Sequence, residues 1–132
     1  MLKSEVKHPD KRTPTGSYSA GVICDGWLYV SGHVAQDMRT GEILHGTIEE
    51  ETSLTLSHIG SVLRAAGCCP DDVVACTCHL ADIDEFDRFD LAYRQFFSGV
   101  MPARTTVQSV LPGGIKIEIN AVARVPHEVR AR

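Results

Sequence analysis

Hydrophobic and polar positions alternate along two early segments of the chain, and this period of two predicts β-strands over 18–24 and 27–33. Asp25 and Gly26 separate the segments, and Asp-Gly is a dipeptide typical of a two-residue hairpin turn. In the second segment the alternation predicts two faces. One carries Trp27, Tyr29, Ser31 and His33, and the other carries Leu28, Val30 and Gly32.

Two later segments have the spacing of amphipathic helices. Thr47 and Glu50 form a capping-box pattern, and apolar residues then recur at helical spacing until Gly67, which predicts the first helix. The second helix is predicted to start at a cap on Asp82 or Asp84 and to run through Phe97. Its apolar stripe consists of Phe86, Phe89, Tyr93, Phe96 and Phe97.

Further strands are predicted over 73–80, 105–111 and 115–125, and the polar residues 1–17 are predicted to form an arm or a short strand. The last strand alternates cleanly. Ile117, Ile119, Ala121, Ala123 and Val125 face one side, and Lys116, Glu118, Asn120, Val122 and Arg124 face the other. The order ββαβαββ predicts an α+β fold in one domain over 1–132, with two helices on one face of a single mixed sheet. The other face is mixed in polarity, so we expect it to meet a neighbouring subunit.

Composition narrows the classes of function. The 132 residues carry 13 basic and 17 acidic side chains, a net charge of −4 with no basic block, so nucleic acid is not the expected partner. The odd count of five cysteines argues against a disulfide framework, so we expect the protein to be located in the reducing cytoplasm. No stretch is apolar enough for a membrane span or a signal peptide.

Arg104 is the first candidate for chemistry. Pro102 restricts the backbone just before a predicted strand, so Arg104 loses less conformational entropy when it binds a ligand. The planar guanidinium can form two parallel hydrogen bonds to a carboxylate. A surface arginine or an intrachain ion pair remains the simpler alternative.

Two carboxylates are further candidates. Glu118 projects from the mixed face in a direction fixed by its isoleucine neighbours, and it can orient a water or act as a cross-strand ion-pair partner. Asp90 lies on or beside the apolar stripe of the second helix, where burying an unpaired carboxylate is costly. It therefore requires a hydrogen-bonding or charged partner, or contact with water at the edge of the helix.

Tyr18 and Ser31 offer hydroxyl groups suited to a small polar ligand, although such groups are commonly structural. No spacing of cysteines and histidines indicates a metal site, and Cys76 and Cys78 are interpreted as core residues. A cysteine nucleophile is not favoured either, because Cys78 and its neighbour His79 point to opposite faces of a strand.

The motifs together resemble the Rid family, also called YjgF or L-PSP proteins. The resemblance extends from about residue 16 to residue 126, and its specific part is P-A-R-T-T-V at 102–107 with I-E-I-N-A at 117–121. It implies a chorismate-mutase-like protomer and a homotrimer with pockets at the subunit interfaces. It also implies hydrolysis of 2-aminoacrylate-type enamines and imines to 2-keto acids and ammonia, without a cofactor.

The resemblance further implies roles for individual residues. Arg104 would bind the substrate carboxylate, Glu118 would position the water, and Tyr18 and Ser31 would line the pocket. Two positions depart from the deaminase branch: Asp90 stands where asparagine is usual, and Thr106 where cysteine is frequent. Both are expected to contact the substrate, and an unpaired Asp90 would repel an anion.

Three alternatives stay open at this point. The substrate can be a larger enamine, such as 2-aminomuconate. The protein can be a trimer that binds 2-keto acids without catalysis. A ribonuclease, as some family members are labelled, is disfavoured by the acidic balance.

Overall fold

The computed structural model describes residues 2–14 and 16–126, and in these residues six strands and two α-helices are found. The strands are β1 (Ser4–Val6), β2 (Gly21–Cys24), β3 (Trp27–His33), β4 (Val73–Leu80), β5 (Ala103–Gln108) and β6 (Ile117–Arg124). The helices are α1 (Ile48–Ala65) and α2 (Phe86–Arg94).

The six strands form one mixed sheet in the order β1-β2-β3-β6-β4-β5. All neighbouring strands are antiparallel except β4 and β5, which are parallel and are connected through α2. Both helices contact each other, and the buried side chains of the central strands lie beneath them. The predicted α+β class, with two helices on one sheet, is confirmed.

The hairpin between β2 and β3 forms where Asp25-Gly26 predicts it. Asp25 has φ of 55° and Gly26 has φ of 80°, as a two-residue turn of this kind requires. Strand β2 begins at Gly21 and not at Tyr18. The Ser31 hydroxyl donates to the Ser19 carbonyl at 2.6 Å, so a side chain holds this segment beside β3.

The predicted faces of β3 are correct up to Val30 and wrong for Gly32 and His33. The pairing of β3 with β6 shifts between Val30 and His33, because a bulge inserts an extra residue there. His33 therefore pairs with Ile119 and lies on the buried side with Leu28 and Val30.

The first helix has the predicted ends. The Thr47 hydroxyl accepts the Glu50 N–H at 3.1 Å, and the Glu50 carboxylate accepts the Thr47 N–H at 2.8 Å. Gly67, with φ of 79°, follows its last turn. The second helix ends at Arg94, earlier than predicted, because Phe96 and Phe97 donate to carbonyls three residues back in a tighter turn.

Strand boundaries near the C-terminal end also differ from the prediction. Strand β5 spans 103–108 where 105–111 was expected, and β6 starts at Ile117 where Ile115 was expected. Gly113 and Gly114 both have positive φ in the Pro112–Gly114 turn, which delays the extended conformation of β6.

The alternation of β6 determines the core. Ile117, Ile119, Ala121 and Ala123 are all buried under the helices, as predicted. Cys76 and Cys78 of β4 are also buried there, which confirms their interpretation as core residues.

Candidate active site

The predicted site residues divide into two groups on opposite faces of the sheet. In β5, Arg104 is in register with Cys76 of β4, so both side chains point toward the helices. In β6, Glu118 is flanked by buried Ile117 and Ile119, so it points to the open face, the side of the sheet without helices. One chain therefore does not bring Arg104 and Glu118 together.

The first group is centred on an ion pair between β5 and α2. Arg104 Nη1 donates to Asp90 Oδ1 at 2.7 Å, and the exposed Arg94 donates to Asp90 Oδ2 at 3.2 Å. The Asp90 carboxylate thus lies between two guanidinium groups, which satisfies its predicted need for a partner. The intrachain ion pair that the sequence left as an alternative for Arg104 is present.

Aromatic rings of α2 surround the same guanidinium. Its central carbon lies 4.7 Å from the ring centre of Tyr93 and 5.3 Å from those of Phe86 and Phe89. A cation this close to ring faces is attracted by their negative quadrupole. Ring contacts and Asp90 together fix the direction of a side chain that is only 21% exposed.

The buried hydroxyl of Thr106, two positions along β5 from Arg104, has no hydrogen-bond partner within the described residues. The buried hydroxyl of Tyr93 instead bonds with the Cys76 thiol. A buried hydroxyl without a partner costs about 1–3 kcal/mol of stability, so the Thr106 hydroxyl gains a hydrogen bond if a polar ligand binds at this end of β5. Thr106 thus shares a face with Arg104.

The cysteines beside Arg104 are not poised as nucleophiles. Burial raises the pKa of the Cys78 thiol to about 12, and neighbouring Cys76 adds to this shift while Arg104 opposes it. Burial likewise raises the pKa of Cys76. Both thiols stay protonated near neutral pH, where only a thiolate is an effective nucleophile.

The second group lies in a cavity of about 680 Å³. Tyr18 and Glu118 both line it, as does Gly32. A Cβ on Gly32 would overlap the Glu118 carboxylate, so the missing side chain at the β3 bulge makes room for this acid. Ser31 lies beside Gly32 and donates to the carbonyl of Ser19, the residue after Tyr18.

A chain of histidines, which the sequence did not predict, borders this cavity. The His58 Nε2–H donates to the Gln36 carbonyl at 2.7 Å, so its Nδ1 accepts the His8 Nε2–H at 3.2 Å. His8 Nδ1 in turn accepts the Asp10 N–H at 3.1 Å. This direction of donation leaves both rings neutral and every ring nitrogen bonded.

Burial is the main cause of lowered pKa values in this histidine group. It lowers the pKa of His8 and His58, and it lowers that of His33 to about 4. The three residues come from the N-terminal segment, β3 and α1, and no local sequence spacing signals that they meet.

Lys7, Lys11 and Arg12 also line the cavity, and no motif in the sequence predicts that they do. The signal was present as the polar run K-H-P-D-K-R, but its position over the sheet depends on the pairing of β1 with β2. In the described ranges, 2–14 and 16–126, no group of acidic, histidine or cysteine side chains is arranged to hold a metal. No helix in those ranges is long and apolar enough to cross a membrane.

Comparison with known proteins places the chain in a family. Residues 9–125 match the family described as Endoribonuclease L-PSP. The 2-iminobutanoate/2-iminopropanoate deaminase of Rattus norvegicus is 40% identical over 82% of this chain and 80% of its own length. A RutC family protein of Saccharolobus solfataricus is 44% identical over 84% of this chain and 89% of its own.

A solved structure agrees. A Rid family protein from Yersinia pestis has a TM-score of 0.88 and 32% identity, covering 94% of this chain and 100% of that one. The match of sequence and fold over most of the chain establishes that this protein belongs to the L-PSP family, the Rid family that its motifs indicate.

Proposed function

We propose that this protein hydrolyses reactive 2-imino acids and their enamine tautomers to 2-keto acids and ammonia. The observation that carries the proposal is the oriented guanidinium of Arg104, next to a hydroxyl of Thr106 that has no partner among the described residues. The relatives named 2-iminobutanoate/2-iminopropanoate deaminase, at about 40% identity, support the same reaction.

The Arg104 fork retains donors for a substrate. Only Nη1 bonds to Asp90, and a guanidinium has five N–H groups, so others are available to a carboxylate. Asp90 was expected to repel an anion unless it was paired. Its charge is offset by Arg104 and Arg94, which leaves a net charge of about +1 in this group of three.

Glu118 then has the role of positioning water. The water oxygen adds to the imine carbon while the C=N π electrons move to nitrogen, which takes up a proton. Loss of ammonia from the resulting carbinolamine forms the keto group. Glu118 accepts a hydrogen bond from the attacking water and relays its proton toward nitrogen. An imine already reacts with water, so orientation supplies most of the acceleration.

We also propose that two copies of the chain complete each site. Arg104 and Glu118 lie on opposite faces of one sheet, so a single site requires Arg104 of one copy and Glu118 of another. A head-to-tail contact of this kind closes into a ring, and a homotrimer is the ring that the family resemblance implies. All five cysteines lie within the described residues and none forms a disulfide, which supports a cytoplasmic location.

An assay of keto-acid release tests the reaction. A dehydratase that generates 2-iminobutanoate in situ is combined with the protein, and 2-oxobutanoate is followed over time. We expect clear acceleration over buffer, with a loss of at least about 100-fold for Arg104→Ala because the carboxylate loses its charge-assisted fork.

Arg88→Ala is the matched control, because it removes an exposed arginine of α2 that pairs with Glu49 and not with Asp90. Its rate should stay within about twofold of the wild type. Equal rates for the wild type and Arg104→Ala would contradict the proposal. Binding of 2-oxobutanoate without any acceleration would instead indicate a protein that binds keto acids without catalysis.

A further inference from the structure

The N-terminal segment over 7–14, here called the arm, forms one wall of the cavity that contains Glu118. Its lining includes Lys7, Lys11 and Arg12 on this wall, with Tyr18 and Glu118 beyond it. A volume of about 680 Å³ falls within the roughly 300–1,000 Å³ of drug-sized ligand sites. A four-carbon imino acid does not need this much space.

The arm carries three cations and one acid, Asp10, so its formal charge is +2 when His8 is neutral. None of Lys7, Lys11 and Arg12 forms an ion pair with another described residue, and the Arg12 Nη1 donates only to the backbone carbonyls of Pro9 and Lys11. The acidic residues in the lining are Glu5 and Glu118. With neutral histidines, three cations and two carboxylates line the cavity, so the lining has a formal charge of +1 in a protein whose net charge is −4, and Asp10 of the arm is not among the lining residues.

The arm is held in place by specific bonds. His8 donates to His58 of α1 at 3.2 Å, and His8 is only 4% exposed. Further along, the Arg12 N–H donates to the Met38 carbonyl at 3.2 Å. Lys11 and Arg12 therefore extend from a fixed backbone, so a ligand that binds them does not first have to order the arm.

We propose that the arm selects imino acids with a second acidic group, and that Lys11 and Arg12 bind this group. The inference rests on the proposed function. When the α-carboxylate is bound by Arg104 of an adjoining copy and the imine carbon lies at Glu118, the rest of the substrate extends into the cavity toward the arm. A second carboxylate meets unpaired cations there, whereas an alkyl chain meets only water and charge.

Two five-carbon ligands separate the charge effect from the size effect. They are 2-oxoglutarate, which has a second carboxylate, and 2-oxopentanoate, which does not. Their binding is measured by calorimetry at low salt, because screening weakens exposed charges. Hydrolysis of the corresponding imines is then compared, with an amino-acid oxidase generating them from glutamate and norvaline.

We expect the wild type to prefer the diacid by about tenfold or more in Kd and in kcat/KM, a size consistent with one or two partly exposed charge contacts. In Lys11→Gln/Arg12→Gln the preference falls about tenfold. The control Lys3→Gln removes a cation that directly precedes β1 and does not line the cavity, and it leaves the preference unchanged.

An unchanged preference in the double variant overturns the inference, and so does equal binding of the two keto acids by the wild type. If neither imine is hydrolysed, the proposed function fails. The calorimetric comparison still decides whether the arm recognises a second carboxylate, because it does not depend on turnover.

Discussion

At the scale of single residues, the absence of a side chain at position 32 determines where the proposed water-positioning acid lies. The Glu118 carboxylate occupies the space next to Gly32 that a Cβ would fill. This arrangement depends on the β3 bulge and on the pairing of β3 with β6, and it gives a direct test of whether the position of Glu118 matters.

Gly32→Ala should lower kcat for imine hydrolysis by about tenfold or more, because the displaced carboxylate no longer directs the water. Stability should change by less than about 1 kcal/mol, since the overlap involves the flexible end of a side chain. Rates and urea unfolding are measured on the same preparation. Full activity in this variant would show that the position of Glu118 is not critical.

Gly60→Ala serves as the control. An added Cβ at Gly60 of α1 comes no closer than 3.4 Å to the side chains of Arg64 and Phe96. Alanine is a better helix former than glycine by about 1 kcal/mol, so this variant should keep its activity and gain stability.

Some residue-level features could be predicted and others could not. Asp90 was recognised as needing a partner, because a carboxylate beside an aromatic stripe is costly wherever the helix packs. That its partner is Arg104 depends on how α2 lies over β5, which is tertiary information. The face of His33 was predicted wrongly, since alternation does not reveal a bulge.

At the scale of elements, three buried histidines connect the arm, β3 and α1. His8 bonds to His58, and the His33 Nδ1–H donates to the Ser31 carbonyl at 2.7 Å. Protonation of His58 Nδ1 would place two N–H groups against each other and break the bond to His8. Other charged groups that act on the three histidines are Asp10, Lys11, Asp37 and Arg64.

Stability should therefore fall as the solution becomes acidic. The pKa of His33 is lowered to about 4 in the folded protein from 6.5, so above pH 6.5 the ring is neutral in both states and carries no penalty. Between about 6.5 and 4 the unfolded chain takes up the proton first. From pH 7.5 to 5, His33 alone should remove about 2 kcal/mol of unfolding free energy.

Urea unfolding at both pH values measures this loss. His33→Gln cannot be protonated in this range, so its unfolding free energy should depend less on pH, with a remainder from His8 and His58. The same pH dependence in the wild type and His33→Gln would contradict the assignment of the loss to His33.

The helices were the elements most accessible from sequence. The start of α1 is determined by the local contact of Thr47 with Glu50, and both bonds of that capping box form. Strand limits depend on partners that are distant in the chain, such as β4 for β5. That dependence explains why the prediction for β5 is wrong by two residues at its start and three at its end, and the prediction for β6 by two residues at its start.

At the scale of the whole molecule, the open face of the sheet is too apolar to suit solvent alone. Tyr29 of β3 and Val107 of β5 are 47% and 39% exposed on the single chain. Val107 is in register with His79, which is in register with Glu118, so this surface continues to the proposed site. The mixed alternation of β6 predicts an interface between copies, but it does not indicate which copy supplies which residue.

Light scattering after size-exclusion chromatography should give a mass of about three times 14.4 kDa for the wild type. Val107→Asp buries a charge in the proposed interface and should yield a smaller species with little imine hydrolysis. Leu91 of α2 is 60% exposed, so Leu91→Asp should keep both mass and activity. A wild-type monomer with full activity would exclude a site shared between copies.

Mixed trimers test the central claim most directly, namely that Arg104 and Glu118 act together across two copies of the chain. Arg104→Ala and Glu118→Gln are each expected to be inactive, and they are co-expressed with different tags so that trimers containing both can be isolated. A trimer that contains both variants has both residues intact at one of its three sites, so about a third of wild-type imine hydrolysis should return. No recovery in trimers verified to contain both variants would contradict the account.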